Sequence, residues 1–205
     1  MAHRGVTYIL EIVNKHNGPE VGETVHHLEE SDVLGLEQKY VRETRCFKIS
    51  RVFPPDVNNH NTMFGGKLMS QIDDIASISA SKLCRVTAVT ASMDSVDFLF
   101  PIRPTDSVAL ESFVTWTGRT SMEIFVKVIT EDLRTGERNI AATSFITFVG
   151  LDENNKPVQV PQIVPETEEE KKLFETAAHR AEMRKIRREE SKKFADYLIT
   201  NYPWE

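Results

Sequence analysis

A chain of 205 residues with a net charge of −6, 40% hydrophobic and 27% charged, has the composition of a folded globular protein large enough for one well-buried domain plus an extension. The acidic balance argues against nucleic-acid binding, no run of about 18 apolar residues offers a transmembrane helix, and Tyr8-Ile9-Leu10 is followed at once by Glu11, so no signal peptide is read. Cys46 and Cys84 are too few and too far apart for a disulfide framework or a zinc site, and His3, His16, His26, His27, His60 and His179 form no ligand pattern; no metal, no membrane and a cytoplasmic setting are expected.

Residues 1 to 38 are polar and acidic and broken at Asn17-Gly18-Pro19, which reads as a poorly ordered leader without function. From Arg42 to Arg51 the order RETRCFKISR alternates as a strand, with Cys46, Lys48 and Ser50 on one side and Phe47 and Ile49 on the other, and Pro54-Pro55 ends it. Asn58-Asn59-His60-Asn61-Thr62 is made of residues whose short side chains bond their own backbone, which favours a turn and then a helix start.

The helix predicted over residues 65 to 83 presents Leu68, Ile72, Ile75, Ala76, Ser79 and Leu83 on one face. Gly65 and Gly66 at its entry lower helix propensity by roughly 1 kcal/mol each against Ala. Bare backbone with unpaired N–H groups suits an oxyanion or phosphate cradle, and a tight turn without chemistry is the other reading. Asp73 shares its side with Met69, Ala76, Ser77 and Ala80 and reads as half-buried, whereas Asp74, beside Ser70, Gln71 and Ser81, reads as solvated. A carboxylate among small apolar groups needs a reason: catalysis, a backbone bond or a contact across a dimer. Gly66 and Asp73 are roughly 10 Å apart along a helix. If both serve one reaction, the helix of one subunit must bring its Asp73 to the glycines of another.

Thr87 to Phe100 is a long strand closed by Pro101 and Pro104, and Ser107–Thr117 and Thr120–Leu133, separated by Gly118-Arg119, form a hairpin. The turn Arg134–Glu137 leads to a further strand, Asn139–Val149. The order gives an α+β domain over residues 39 to 165, an antiparallel sheet covering the apolar face of the helix. Residues 166 to 205 form a C-terminal helical extension. Thr167 with Glu170 makes a capping box for a helix running to about Leu198, with Leu173, Ala177, Ala181 and Ile186 as a thin apolar stripe. Its basic stretch, Lys171 to Lys193, is either a solvated face or a contact for an anionic partner.

Several motifs in order carry a resemblance over residues 42 to 165. They are Pro54 to Asn58, Asn61-Thr62-Met63-Phe64-Gly65-Gly66-Lys67-Leu68-Met69, Ile72-Asp73-Asp74-Ile75-Ala76, Asp97-Phe98 with Pro101, Thr117 to Ile124, and Phe145 to Val149. The chain resembles the hot-dog-fold acyl-CoA thioesterases, in particular the bacterial acyl-CoA hydrolases related to the cytosolic long-chain enzymes. The resemblance implies a hot-dog fold, with a curved antiparallel sheet wrapped around the central helix. It also implies a dimer built up to a trimer of dimers, and hydrolysis of fatty acyl-CoA to free acid and CoA. No cofactor is required, coenzyme A being part of the substrate.

By the same similarity Asn58 and Asp73 match the paired catalytic Asn and Asp, acting across the dimer, with Asp73 as general base or as nucleophile. Gly65 and Gly66 would hold the thioester oxygen. Thr62, Met63 and Phe64 would contact the acyl end, with Met69 and Phe98 as further tunnel candidates. Arg119, Thr120 and Ser121 would hold CoA phosphate. Thr62 stands where some relatives carry a catalytic Asp, which leaves the acid/base work to Asp73, and Thr105-Asp106 replaces a common Gly-Asp turn. A non-catalytic acyl-CoA-binding regulator would need a basic helix-turn-helix, which residues 1 to 40 do not offer. A hot-dog enoyl-CoA hydratase would need a His beside the acid, and only His60 is near.

Overall fold

The structure, a computed structural model, describes residues 37–202. The leader expected over residues 1 to 38 lies, up to residue 36, outside the described residues. A short strand β1 (Gln38–Tyr40) runs into a helical turn α1 (Val41–Thr44), then β2 (Cys46–Arg51) and the long helix α2 (Gly65–Cys84). Four long strands follow: β3 (Thr87–Phe98), β4 (Asp106–Thr117), β5 (Ser121–Asp132) and β6 (Arg138–Leu151). The short β7 (Gln162–Val164) pairs with β1, and the chain closes with α3 (Glu168–Glu175) and α4 (Ala177–Ala195).

Helix α2 forms where the periodicity requires it. Leu68, Ile72, Ile75, Ala76, Ser79, Ala80 and Leu83 are all buried, and Arg85 ends the helix in the left-handed region at φ 55°. The sheet that covers this face has the order β2-β4-β5-β6-β3. All its pairings are antiparallel, and it supplies Leu110, Phe113, Ile124, Ile146 and Phe148 to the core. Inside that core the Ser79 and Ser112 hydroxyls are 2.7 Å apart, and Ser112 donates to the carbonyl of Ile75 at 3.1 Å, so neither buried hydroxyl is left unsatisfied. Among the described residues no helix is long and apolar enough to cross a membrane.

Two local features differ from the sequence reading, and a third, the buried face of β2, goes beyond it. The strand expected from Arg42 begins only at Cys46, because Glu43 accepts from the Tyr40 amide at 2.8 Å and the Thr44 hydroxyl donates to Val41 O at 2.9 Å, which closes a helical turn. In β2 the polar-looking side turns inward, Cys46 packing against the core, while Phe47 and Ile49 are 68% and 74% exposed on this edge strand. The single C-terminal helix is two. Thr167 caps α3 through the predicted capping box, and the helix breaks at Thr176, whose hydroxyl donates to Lys172 O at 3.0 Å. Ala177 is buried as expected, but Ile186 is 44% exposed.

The arginines of α4 are not a solvated face. Arg180 pairs with the fully buried Glu123 of β5 at 2.7 Å, Arg184 bridges Glu123 at 3.2 Å and Asp94 of β3 at 2.9 Å, and Arg187 also pairs with Asp94. Arg188 is half-buried beside them. Burial, and after it the like charge of Arg184, lowers its pKa below the usual guanidinium value, while Asp94 pulls the other way. Glu123→Gln removes the one charge shared by Arg180 and Arg184 and should lower unfolding free energy by about 3 kcal/mol. Urea denaturation followed by circular dichroism checks this, and an unshifted midpoint contradicts it.

Candidate active site

The loop before α2 is closed on itself by one amide side chain. Oδ1 of Asn58 accepts from the His60 amide at 2.9 Å, the Thr62 amide at 3.3 Å and the Thr62 hydroxyl at 3.2 Å, and Nδ2 donates to the Thr62 hydroxyl at 3.0 Å. Backbone bonds from Asn58 N to Thr62 O and from Asn61 N to Asn58 O complete the turn, with Asn61 at φ 57°, a region Asn tolerates. The Asn58 oxygen is thereby fully used. One Nδ2 hydrogen remains to be given to something outside the loop. The hydroxyl of Thr62, a residue lining the cleft in front of this loop, fixes which way the Asn58 amide points.

The turn delivers the chain to the start of α2. Phe64 N donates to Asp56 O at 2.7 Å, and the first bonds into the helix run from Lys67 N and Leu68 N to Phe64 O. The amides of Gly65 and Gly66 therefore have no acceptor among the described residues, as the first turn of a helix requires. A Cβ on Gly65 would lie 3.4 Å from the Phe98 ring, and one on Gly66 only 2.6 Å from the Phe64 ring. A cleft of about 370 Å³ opens in front of these groups, lined by Asn58, Thr62, Met63, Gly65, Leu68 and the segment from Phe98 to Ile102. Met63 is buried in its wall and its amide donates to Ile102 O at 2.8 Å, Phe98 is 56% exposed at the rim, and Phe64, 57% exposed, and Gly66 lie outside the lining.

No carboxylate lines this cleft. Asp73 is half-buried further along α2, and its Oδ1 accepts from the hydroxyl of Thr90 on β3 at 2.9 Å. Asp74 is exposed, as the spacing predicted. Thr90 lies opposite Phe148, itself opposite Met122 at the start of β5, so Asp73 belongs to the end of the sheet that carries the β4–β5 hairpin. Phe98 and the cleft belong to the other end, opposite Ala142 and Val128. Arg119, Thr120 and Ser121 sit with Asp73 rather than with Asn58. Arg119 is exposed at the hairpin tip, and its carbonyl accepts from Val160 N at 3.0 Å.

One chain thus gathers Asn58, Thr62, Met63 and Gly65, and keeps Asp73 and Arg119 apart from them. His60, the only histidine near in sequence, is exposed and outside the cleft. Among the described residues no cluster of His, Cys, Asp or Glu could hold a metal. Thr90 was missed in the sequence because it falls within a Thr-rich strand, and nothing in one sequence gives the register of that strand against the helix. Strand β3 joins the two ends and, among the described residues, pairs only with β6, which leaves its outer edge open.

The family profile of the thioesterase superfamily matches residues 60–137. The chain is 63% identical over 168 residues to an uncharacterized acyl-CoA thioester hydrolase of Bacillus subtilis, covering 82% of this chain and 98% of that protein. The crystal structure of an acyl-CoA hydrolase from Bacillus cereus aligns with TM-score 0.77 at 58% identity, over 80% of this chain and 99% of that one. An acyl-CoA hydrolase from Staphylococcus aureus, solved with butyryl coenzyme A, coenzyme A and coenzyme A disulfide, aligns with TM-score 0.76 at 45% identity, over 78% and 98%. Variants of the Staphylococcus aureus enzyme with one Asp, one Thr or one Asn changed to alanine align as well. So does a hexameric acyl-CoA thioesterase at 48% identity and TM-score 0.73, over 74% of this chain and 97% of that one.

Because a Cβ at Gly65 meets the Phe98 ring only at ordinary contact distance, Gly65→Ala should leave the fold intact and raise stability by up to about 1 kcal/mol. Chemical denaturation measures it. A clear loss of stability would mean that the backbone at the helix entry needs glycine for its own sake.

Proposed function

Since the chain belongs to the acyl-CoA thioester hydrolases of the thioesterase superfamily, we propose that it hydrolyses fatty acyl-CoA to free fatty acid and CoA in a site completed only when two copies pair. One observation carries this reading: the cleft at the free Gly65 amide has no carboxylate, while the half-buried Asp73 of the same helix stands at the far end of strand β3, whose outer edge is open among the described residues. Antiparallel pairing of two β3 edges exchanges ends. It brings Asp73, Thr90 and the Arg119 hairpin of one copy to the Asn58 cleft of the other.

In that arrangement the thioester carbonyl lies against the helix-entry amides, which stabilise the oxygen as it becomes negative. Loss of one such donor typically costs about 3 kcal/mol of barrier. Asn58 adds its remaining Nδ2–H to the same oxygen, because its own carbonyl is already engaged and is not available to hold a water. Asp73, oriented by the Thr90 hydroxyl, takes the proton of an attacking water. The C–S bond of the resulting tetrahedral adduct breaks, and CoA leaves as its thiol with the proton returned. Direct attack by Asp73 to give an acyl anhydride, then hydrolysed, uses the same geometry. Arg119, Thr120 and Ser121 suit a CoA phosphate, since a guanidinium and hydroxyls match its oxygens. Phe98 at the rim and Met63 in the wall form the apolar path for the acyl chain, with the exposed Phe64 ring beside the helix entry.

Asn58, Asp73 and Thr90 follow one another at the same intervals as the Asn, Asp and Thr altered in the Staphylococcus aureus enzyme, which supports treating them as one working set. The hexameric relative supports self-association, which we take as a trimer of such dimers.

Purified protein should release free thiol from long-chain acyl-CoA esters, read with a thiol reagent across chain lengths from acetyl to palmitoyl; silence on every ester would remove the assignment. Asp73→Asn should fold normally and lose at least about 100-fold in kcat. The shared site has a separate signature. Asp73→Asn and Asn58→Ala chains, each inactive alone, should regain roughly a quarter of wild-type activity when co-expressed, because half the dimers then hold one intact site. No recovery despite proven mixed dimers would place both residues in one chain.

A further inference from the structure

The polar side chains on the outer face of the sheet form one row at right angles to the strands. Thr115 of β4 donates to Glu123 of β5 at 2.9 Å, Glu123 lies opposite Thr147 of β6, and Thr147 donates to Asp94 of β3 at 2.8 Å. The C-terminal helices follow this row from one edge to the other. In α3, Glu170 pairs with Arg45 just before β2, and Glu169 with Lys127 of β5 at 2.8 Å. In α4, Arg180 reaches Glu123 and lies 4.2 Å over the Phe145 ring of β6. Arg184 then spans Glu123 and Asp94, and Arg187 holds Asp94 by its side chain and, at 2.8 Å, by its carbonyl. From Arg180 to Arg187 a helix rises roughly 10 Å, about the two strand spacings between β5 and β3.

Helix α4 therefore meets the edge strand at Arg187 and continues to Ala195. The remainder is roughly 12 Å of helix lying past the sheet of its own chain. The overhang is charged from Arg188 to Lys193 and ends in an apolar cluster for which the surface of a lone protomer has no use: Phe194, Tyr197, Leu198 and Ile199 are 70%, 83%, 71% and 85% exposed. Met183 and Ile186, also exposed, lie on the same flank of the helix as Phe194, which follows Ile186 by eight residues with Glu190 between them.

We propose that the C-terminal segment is a clasp between subunits, and that its occupant is a second copy of this chain. Where two β3 edges meet, each α4 crosses the seam, and the two helices run antiparallel. The Met183–Ile186 flank of one then packs against Phe194 and Tyr197 of the other, while Leu198 and Ile199 settle on the second sheet. The position is continuous with the open edge that the paired site requires, and reciprocal burial of these side chains removes on the order of 1,000 Å², the scale of a specific interface. The clasp rests on the β3-to-β3 pairing of the proposed site and not on its chemistry.

Full-length chain carrying a photo-crosslinking phenylalanine at position 197 should give, on irradiation, a dimer-sized product joined to α4 of another copy, mapped by mass spectrometry. Phe194→Asp combined with Tyr197→Asp should raise the dimer dissociation concentration at least tenfold by light scattering, with unchanged circular dichroism. Crosslinks confined to one chain, or an unaltered dissociation concentration, overturn the proposal. Flotation of wild-type protein with phosphatidylcholine vesicles without inter-chain crosslinks also overturns it and assigns the apolar flank to lipid. Thiol release by the wild type, read separately, distinguishes failure of the clasp from failure of the hydrolase assignment.

Discussion

The rise of an α-helix, 1.5 Å per residue, keeps the Gly65 amides and the Asp73 carboxylate of one chain about two turns apart, and no side-chain rotation closes that gap. Burial of the Leu68, Ile72, Ile75 and Leu83 face fixes the helix against the sheet, so it cannot turn to improve matters. What one chain cannot do, a two-fold axis perpendicular to its open strand can: reversing the direction of β3 puts the end bearing Asp73 over the end bearing Asn58. In the proposed site the chemistry is thus a property of the pair, and the same edge that completes the site also sets where the C-terminal helix must go.

The central helix, the long strands and the Gly118-Arg119 hairpin were legible because each has a strong periodicity bounded by Gly, Pro or Asn, and local pattern decides such elements. Strand order was not. Nothing local says that β3 leaves the helix to lie beside β6 rather than β4, so the hydrogen bond between Thr90 and Asp73 had no signature. The half-buried state of Asp73 and the exposure of Asp74 did have one, since each follows from which residues share a helical side. In β2 the alternation told two faces apart but did not say which is inside, and at this sheet edge the apolar one, with Phe47 and Ile49, faces out. Along the C-terminal helix the charge run suggested a solvated face, yet its arginines answer to two acids, Glu123 and Asp94, that lie far away in sequence.

The Asn58 loop illustrates a further limit. Its composition announced a turn, and a turn it is, but only the geometry reveals that the Thr62 hydroxyl consumes the amide on both sides and leaves a single donor free. Thr62 thereby acquires a task of its own, setting the direction of a neighbour's dipole.

Strand β3 is irregular twice, between Thr90 and Ser92 and again between Met93 and Ser95, and Asp94 is pinned there by Ser92, Thr147, Arg184 and Arg187. A flat exposed strand accepts foreign peptides at several offsets and invites fibrous stacking. A twice-kinked one offers a contour that only a matching kinked strand can follow. In the proposed pairing the bends would act as a password at the rim of the sheet, admitting kin and turning strangers away.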